Sequence, residues 1–413
     1  MLGAIGRRAV LLLFVFSAAV WAQKYYVYVD DLGPDYVQLS WGTTDGDNTI
    51  GRTSTSHGEA TIKIGGRTVI SRANTVTVSG LEPDHSYTYE VLHGSERIGQ
   101  GQVRTWAAQA TKLCFFVIGD YGTGNDVQRR IADVMWQEFQ KRADGDNPAR
   151  FVISTGDNIY GNISGFLLGI GHTGSSDIDW TTKFFDPYER ILGRIPWFPS
   201  LGNHDGNETE SRGDLSAYLD NMPFPGDKPA RYYHFNYASL ADFFGLDSTR
   251  NTESGPPRSV YSPDSAEFRW MLQEFPKAKS PWVIPYFHHP PFNGGPLHPP
   301  ALRDLQHWMA LFQASHVRVV FNGHEHNFQM TEDNAGGFGM RLFTSGAGGE
   351  LRQGNIQRRM RQAHIAAWAP QNHFLVVEID GKTMRVTPTS FAHMSIVDAD
   401  GNAVQPPFVV MLP

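Results

Sequence analysis

Five short segments gather the residue types that hold metal ions. They are Gly119-Asp120-Tyr121-Gly122, Gly156-Asp157-Asn158-Ile159-Tyr160, Gly202-Asn203-His204-Asp205, His288-His289-Pro290 and Gly323-His324-Glu325-His326. Each has the character of a loop at a strand end, the clearest case being the apolar run Val317-Arg318-Val319-Val320-Phe321-Asn322 ahead of the last segment. Carboxylate, phenol, carboxamide and imidazole thus recur in order at the mouths of apolar strands. Such a donor series suits two metal ions about 3.5–4 Å apart, the arrangement used for in-line attack at phosphorus.

Taken singly, these residues have plainer readings. Asp120 and Asp157 stand at turn-prone positions, where a carboxylate more often caps a turn or a helix. Tyr160 alone reads as a packed aromatic, and Asn203 alone as a turn residue. His288 has a competitor in the adjacent His289, and only His324 and His326 point to metal on their own. It is the ordered set that carries chemical meaning.

The elements that must position these loops divide the chain. At 413 residues, with 40% apolar and 19% charged residues, the sequence is an ordinary globular one with room for two or more cores. Its net charge of −7 gives no basic footprint for nucleic acid or anionic lipid, so an anionic substrate would need local attraction such as metal ions provide. Arg7-Arg8 precede the run Ala9 to Ala22, which has the length of a signal-peptide core and is too short for a comfortable membrane span. Residues 1–22 therefore read as a secretory signal, with a small residue at the end of Val20-Trp21-Ala22, and the protein as secreted, periplasmic or extracellular. The paired arginines are compatible with twin-arginine export. Cys114 is the single cysteine, which excludes an internal disulfide, and its strand-like setting reads as a buried inert thiol.

Residues 23–107 read as an all-β module: Tyr36 to Trp41 and Thr75 to Ser79 alternate with period two between turn-rich stretches. From 108 to 413 strands interleave with helical stretches, namely Asp126 to Arg142, with Val127, Ile131, Val134, Met135 and Phe139 on one side, then Ala266 to Phe275 and Pro300 to Ala314. Phe374 to Val386 carries Asp380-Gly381 at the turn of a hairpin. The alternation predicts an α/β layered domain with its ligands at the carboxyl ends of strands. Gly161 to Gly174 reads as a glycine-rich loop.

The segment Gly80-Leu81-Glu82-Pro83-Asp84-His85-Ser86-Tyr87, with Trp41 upstream, resembles a fibronectin type III sandwich, in which a tyrosine anchors a strand corner. The later motifs resemble the purple acid phosphatases, within the binuclear metallophosphoesterases of αββα layered fold. That family's pattern is Asp-x-Gly, Gly-Asp-x-x-Tyr, Gly-Asn-His-Asp/Glu, a strand ending in histidine, and Gly-His-x-His; all of it is present, in order, between Leu113 and Phe391. The resemblance implies a hard Fe(III) site of Asp120, Asp157, Tyr160 and His326, in keeping with the preference of trivalent ions for anionic oxygen. Asn203, His288 and His324 would form a second site for Zn(II), Fe(II) or Mn(II), with Asp157 bridging. A family histidine two positions before a proline selects His288 over His289. By the same resemblance His204 would contact the substrate phosphate and His298 protonate the leaving alcohol, while Asp205 would orient an imidazole.

The implied activity is hydrolysis of phosphate monoesters by attack of a metal-bound hydroxide. One alternative is a phosphodiesterase or nucleotide hydrolase of the same superfamily with two ordinary divalent ions, against which Tyr160 argues. Another is a non-catalytic surface protein, against which the intact ligand set argues.

Overall fold

The computed structural model describes residues 24–43, 58–161, 180–205, 215–226, 229–249 and 262–413. The signal reading of residues 1–22 and nearly all of the glycine-rich loop lie outside the described residues.

The N-terminal part is a sandwich of two antiparallel sheets. One has three strands, Tyr26–Leu32, Tyr36–Gly42 and Thr75–Ser79; the other has four, in the order Arg67–Ser71, Ala60–Ile64, Ser86–His93, Glu96–Arg104. Trp41 is fully buried between them, and the Tyr87 hydroxyl accepts from the Glu82 amide at 2.9 Å, tying the turn to the strand that follows it. The period-two pattern of Tyr36 to Trp41 predicts one wet face, but Gln38 and Ser40 are buried as well. That side is covered by the rest of the chain: Phe224 N donates to Asp30 Oδ1 at 3.4 Å and Gly226 N to Asp31 Oδ2 at 2.8 Å, while Ser40 Oγ donates to Asp30 Oδ2 of the neighbouring strand at 2.8 Å.

The remainder is a four-layered α/β structure. A six-stranded sheet runs in the order Trp197–Pro199, Ala149–Ser154, Lys112–Ile118, Phe374–Asp380, Thr383–Thr389, Phe408–Met411. A seven-stranded sheet runs Tyr233–Tyr237, Ala241–Gly245, Trp282–Tyr286, Val319–Asn322, Arg341–Ser345, Phe328–Thr331, Ile365–Ala369. Phe115 and Phe151 of the first meet Phe243 of the second at ring separations of 5.2 and 5.1 Å, so the two sheets share one dry interface. The other face of the seven-stranded sheet is covered by the helices Ala266–Glu274 and Gln306–Ala314 through Phe268, Met271, Trp308 and Phe312.

The helix Asp126–Ala143 forms as its pattern predicts, capped by Asn125, which accepts from the Gln128 amide. Its buried side includes Gln128 rather than Val127, because the Gln128 carboxamide serves the loop before it, accepting from Thr123 N and Gly124 N and donating to Lys183 O. The helical stretch expected from Pro300 is shorter, starting at Gln306; Pro300 follows another proline, and residues 302–304 form turns. The hairpin Phe374–Asp380 with Thr383–Thr389 turns at Gly381, whose φ of 54° suits glycine, and pairs with the central strand Lys112–Ile118.

Candidate metal centre

All five loops follow strands that run parallel to one another within each of the two sheets. Lys112–Ile118, Ala149–Ser154 and Trp197–Pro199 are parallel neighbours, as are Trp282–Tyr286 and Val319–Asn322. Their carboxyl ends therefore deliver Asp120, Asp157, Asn203, His288 and His324 to one edge, where open α/β sheets place their sites.

The ligand atoms converge in two groups. Asp120, Asp157 and His326 offer atoms within 4.8 Å of one another, as do Asp157, His288 and His324, and Asp157 is common to both. Tyr160 joins the first group: its hydroxyl lies 3.2 Å from Asp120 Oδ1, 3.2 Å from Asp157 Oδ2 and 3.1 Å from His326 Nε2. One phenolic proton cannot serve both carboxylates, so a cation satisfies this set better than hydrogen bonding does. Asn203 joins the second, with Oδ1 at 2.9 Å from His288 Nε2. His288 Nδ1 lies 2.8 Å from the Thr155 carbonyl, which can only accept. The Nδ1 proton is thereby fixed, and a neutral ring turns its Nε2 lone pair toward Asn203 Oδ1, Asp157 Oδ2 at 3.3 Å and His324 Nδ1 at 3.1 Å. The donors fit two cations sharing a carboxylate.

The electrostatics point the same way. Burial alone would lower His288, but Asp157, Asp120 and the Thr155 carbonyl push it up to about 10, so the negative surroundings of this ring favour positive charge at the centre. Burial and the neighbouring imidazoles His289 and His288 hold His324 well below its usual range, as a neutral nitrogen donor. Burial and the Asp120 and Asp157 carboxylates push the Tyr160 phenol well above its usual range, so a strong Lewis acid is required to make it a tyrosinate.

The backbone is bent to make this edge. Asp120, Asp157 and His324 have φ of 55°, 51° and 69°, left-handed conformations that cost a side-chain-bearing residue about 1–3 kcal/mol each. They are held by bonds across the site, His204 N to Asp157 Oδ1 at 2.8 Å and His324 N to Asp120 Oδ2 at 2.9 Å. Gly156 is dictated by approach: a Cβ there would lie 2.6 Å from His288 Nδ1.

The other expected residues are nearby. The His204 ring packs on Tyr160 with centroids 4.7 Å apart, and the His298 ring stacks on His324 at 3.8 Å and 20°. The His289 ring packs on His324 with centroids 4.4 Å apart and its Nδ1 lies 3.0 Å from Ser248 Oγ, while His288 is the member of the pair that reaches Asp157. Among the described residues Asp205 has no hydrogen bond to an imidazole, contrary to its expected role. It accepts instead from the amides of Asn158, Ile159 and Gly202 at 2.8, 3.0 and 2.8 Å and from Asn158 Nδ2 at 2.7 Å, so it positions the backbone that carries Asp157. Sequence reasoning missed the Thr155 carbonyl, which no side-chain motif can signal. It also missed Glu325, the residue between the two histidines of Gly-His-x-His, which the structure buries fully.

Residues 114–328, just over half of the chain, match the calcineurin-like phosphoesterase family. The chain is 26% identical to purple acid phosphatase 3 of Arabidopsis thaliana over 292 residues, which cover 66% of this chain and 73% of the plant protein. It is 23% identical to tartrate-resistant acid phosphatase type 5 of Rattus norvegicus over 329 residues, covering 73% and 93%. Among solved structures, the fold matches a purple acid phosphatase from yellow lupin (Lupinus luteus) seeds with a TM-score of 0.62 at 16% identity, over 94% of this chain and 74% of that one. PhoD matches with a TM-score of 0.63 at 13% identity, over 92% of both. Among the described residues no helix is long and apolar enough to cross a membrane. With strand ends, donors and relatives in agreement, the chain belongs to the calcineurin-like phosphoesterases, as a metal-dependent phosphatase whose homologues are purple acid phosphatases.

Proposed function

We propose that this protein is a secreted phosphomonoesterase of the purple acid phosphatase type, with a catalytic unit of residues 108–413 and a fibronectin III-like unit of residues 23–107. Asp120, Asp157, Tyr160 and His326 would hold Fe(III); Asp157, Asn203, His288 and His324 would hold Zn(II), Fe(II) or Mn(II). The observation that carries this reading is the Tyr160 hydroxyl, equidistant from two carboxylates and an imidazole with one proton to share. A metal pair supplies charge neutralisation at the phosphoryl oxygens and acidification of water.

The chain's own residues do the rest. Asp157 fixes the spacing between the two donor groups, and the Thr155 carbonyl fixes the tautomer of His288. His204, half-buried with its ring packed on Tyr160, would bond a phosphoryl oxygen. His298 Nδ1 is turned toward Glu325 Oε2, 3.5 Å away, which leaves Nε2 to donate a proton to the departing alkoxide. Parallel assays of one phosphate monoester and one diester, on protein of measured metal content, test the proposal. Preference for the monoester supports it; preference for the diester would assign the site to phosphodiester hydrolysis, and inactivity on both would leave a binding protein.

A further inference from the structure

The proposed reaction needs a proton donor at a fixed distance from the phosphoryl group, yet His298 comes from a loop rich in glycine and proline, Pro290 to Pro300. Such a loop does not hold a side chain still by itself. What holds it is a buried polar brace. Glu325, with no exposed side-chain surface, accepts at Oε2 from the His298 amide at 3.0 Å and from Asn293 Nδ2 at 3.1 Å. Asn293 Nδ2 also donates to the His298 carbonyl at 2.9 Å, and Asn293 Oδ1 accepts from Gly295 N at 2.8 Å and from Gln329 Nε2 at 2.9 Å. The loop is thus tied at both ends of its His298 peptide unit, and the imidazole is pressed flat on His324.

We propose that Glu325, the variable residue of the Gly-His-x-His segment, is a positioning residue for His298, tying the proton-donor loop to the strand end that carries His324 and His326. The inference rests on the proposed role of His298. The linkage is direct in sequence: the residue that braces the loop is flanked on both sides by candidate ligands, so donor and metal centre share one rigid base. The brace uses Oε2 as the acceptor for both N–H groups, while Oε1 lies 4.0 Å from Arg352 Nε. Glutamine can supply one oxygen to both N–H groups, whereas alanine removes the acceptor of the His298 amide and leaves Asn293 Nδ2 only its bond to the His298 carbonyl.

The test compares kcat/KM for an alkyl phosphate and for nitrophenyl phosphate in wild type, E325A, E325Q, H298A and the E325A/H298A double variant, with metal content determined on each. Nitrophenolate leaves without protonation, so the alkyl-to-aryl ratio reports the proton donor. The expected result is a ratio lowered about 10–100-fold in E325A, the range typical of residues that orient a working imidazole, with full metal content. E325Q should stay close to wild type, and the double variant should be no worse than H298A. An unchanged ratio in E325A beside a lowered ratio in H298A would overturn the inference and leave the role of His298 intact. So would loss of metal from E325A, or full additivity in the double variant, since either makes Glu325 a brace of something else. An unchanged ratio in H298A itself would overturn both claims.

Discussion

At the residue scale, the account gives Asp157 and Asp205 different work although both are buried carboxylates within one loop cluster. Asp157 belongs to both donor groups, so Asp157→Ala should strip or scramble both metals and lower kcat/KM by orders of magnitude. Asp205 holds three amides and a carboxamide, so Asp205→Ala should act by letting residues 157–159 shift, with a loss of about 10–100-fold and partial metal retention. Metal analysis beside steady-state kinetics checks the order; equal metal content in wild type and Asp157→Ala would contradict it. The convergence of Asp120, Asp157, His288, His324 and His326 was legible in the sequence because the chemistry of a donor is its side-chain identity. Asp205 was misread because its partners are backbone amides, which carry no sequence signal, and Glu325 because its importance depends on a loop folded over it from twenty-seven residues upstream.

At the element scale, strands and helices followed from apolar periodicity, while departures came from contacts between elements. Gln128 replaced Val127 on a buried face because a loop needed its carboxamide, and Gln38 and Ser40 were buried because another part of the chain covers their sheet. The same covering makes a testable pH effect. Asp31, at the end of Tyr26–Leu32, is buried, and burial pushes its carboxyl up to about 6 against the hydrogen bonds from Gly226 N, Tyr36 Oη and Leu32 N. With an unfolded value near 3.8, the native chain binds this proton more tightly. The contribution is therefore fully present below about pH 4 and is lost as pH rises through about 6. Asp31→Asn should lose less stability than wild type between pH 4 and 7, the difference reaching roughly 3 kcal/mol at about 1.4 kcal/mol per unit. Urea unfolding at several pH values checks this, and parallel pH profiles would contradict it.

At the scale of the whole molecule, sandwich and layered region are one packed body. Trp106 packs on Phe151, Phe198 and Tyr237 at 5.7, 6.5 and 5.2 Å, Tyr26 Oη donates to Asp186 at 2.7 Å, Arg150 pairs with Asp84 at 2.6 Å, and Tyr89 Oη donates to the Gly193 carbonyl at 3.0 Å. This joint was not legible in the sequence, where the two regions differ in periodicity and share no motif. Trp106→Ala should cost about 3–5 kcal/mol, a large part of a typical stability of about 5–15 kcal/mol. It should lower the transition of the whole chain together, as read by calorimetry; a second transition confined to the sandwich would contradict a shared core. The proposed pair of Fe(III) bound by Tyr160 and a neighbouring divalent ion is tested by the metal content and visible absorption of the purified protein. The account predicts one iron and one further divalent ion per chain, a violet or pink colour from tyrosinate-to-Fe(III) charge transfer, and bleaching in Tyr160→Phe with the fold retained. A colourless protein holding two zinc or two manganese ions and no iron would contradict it.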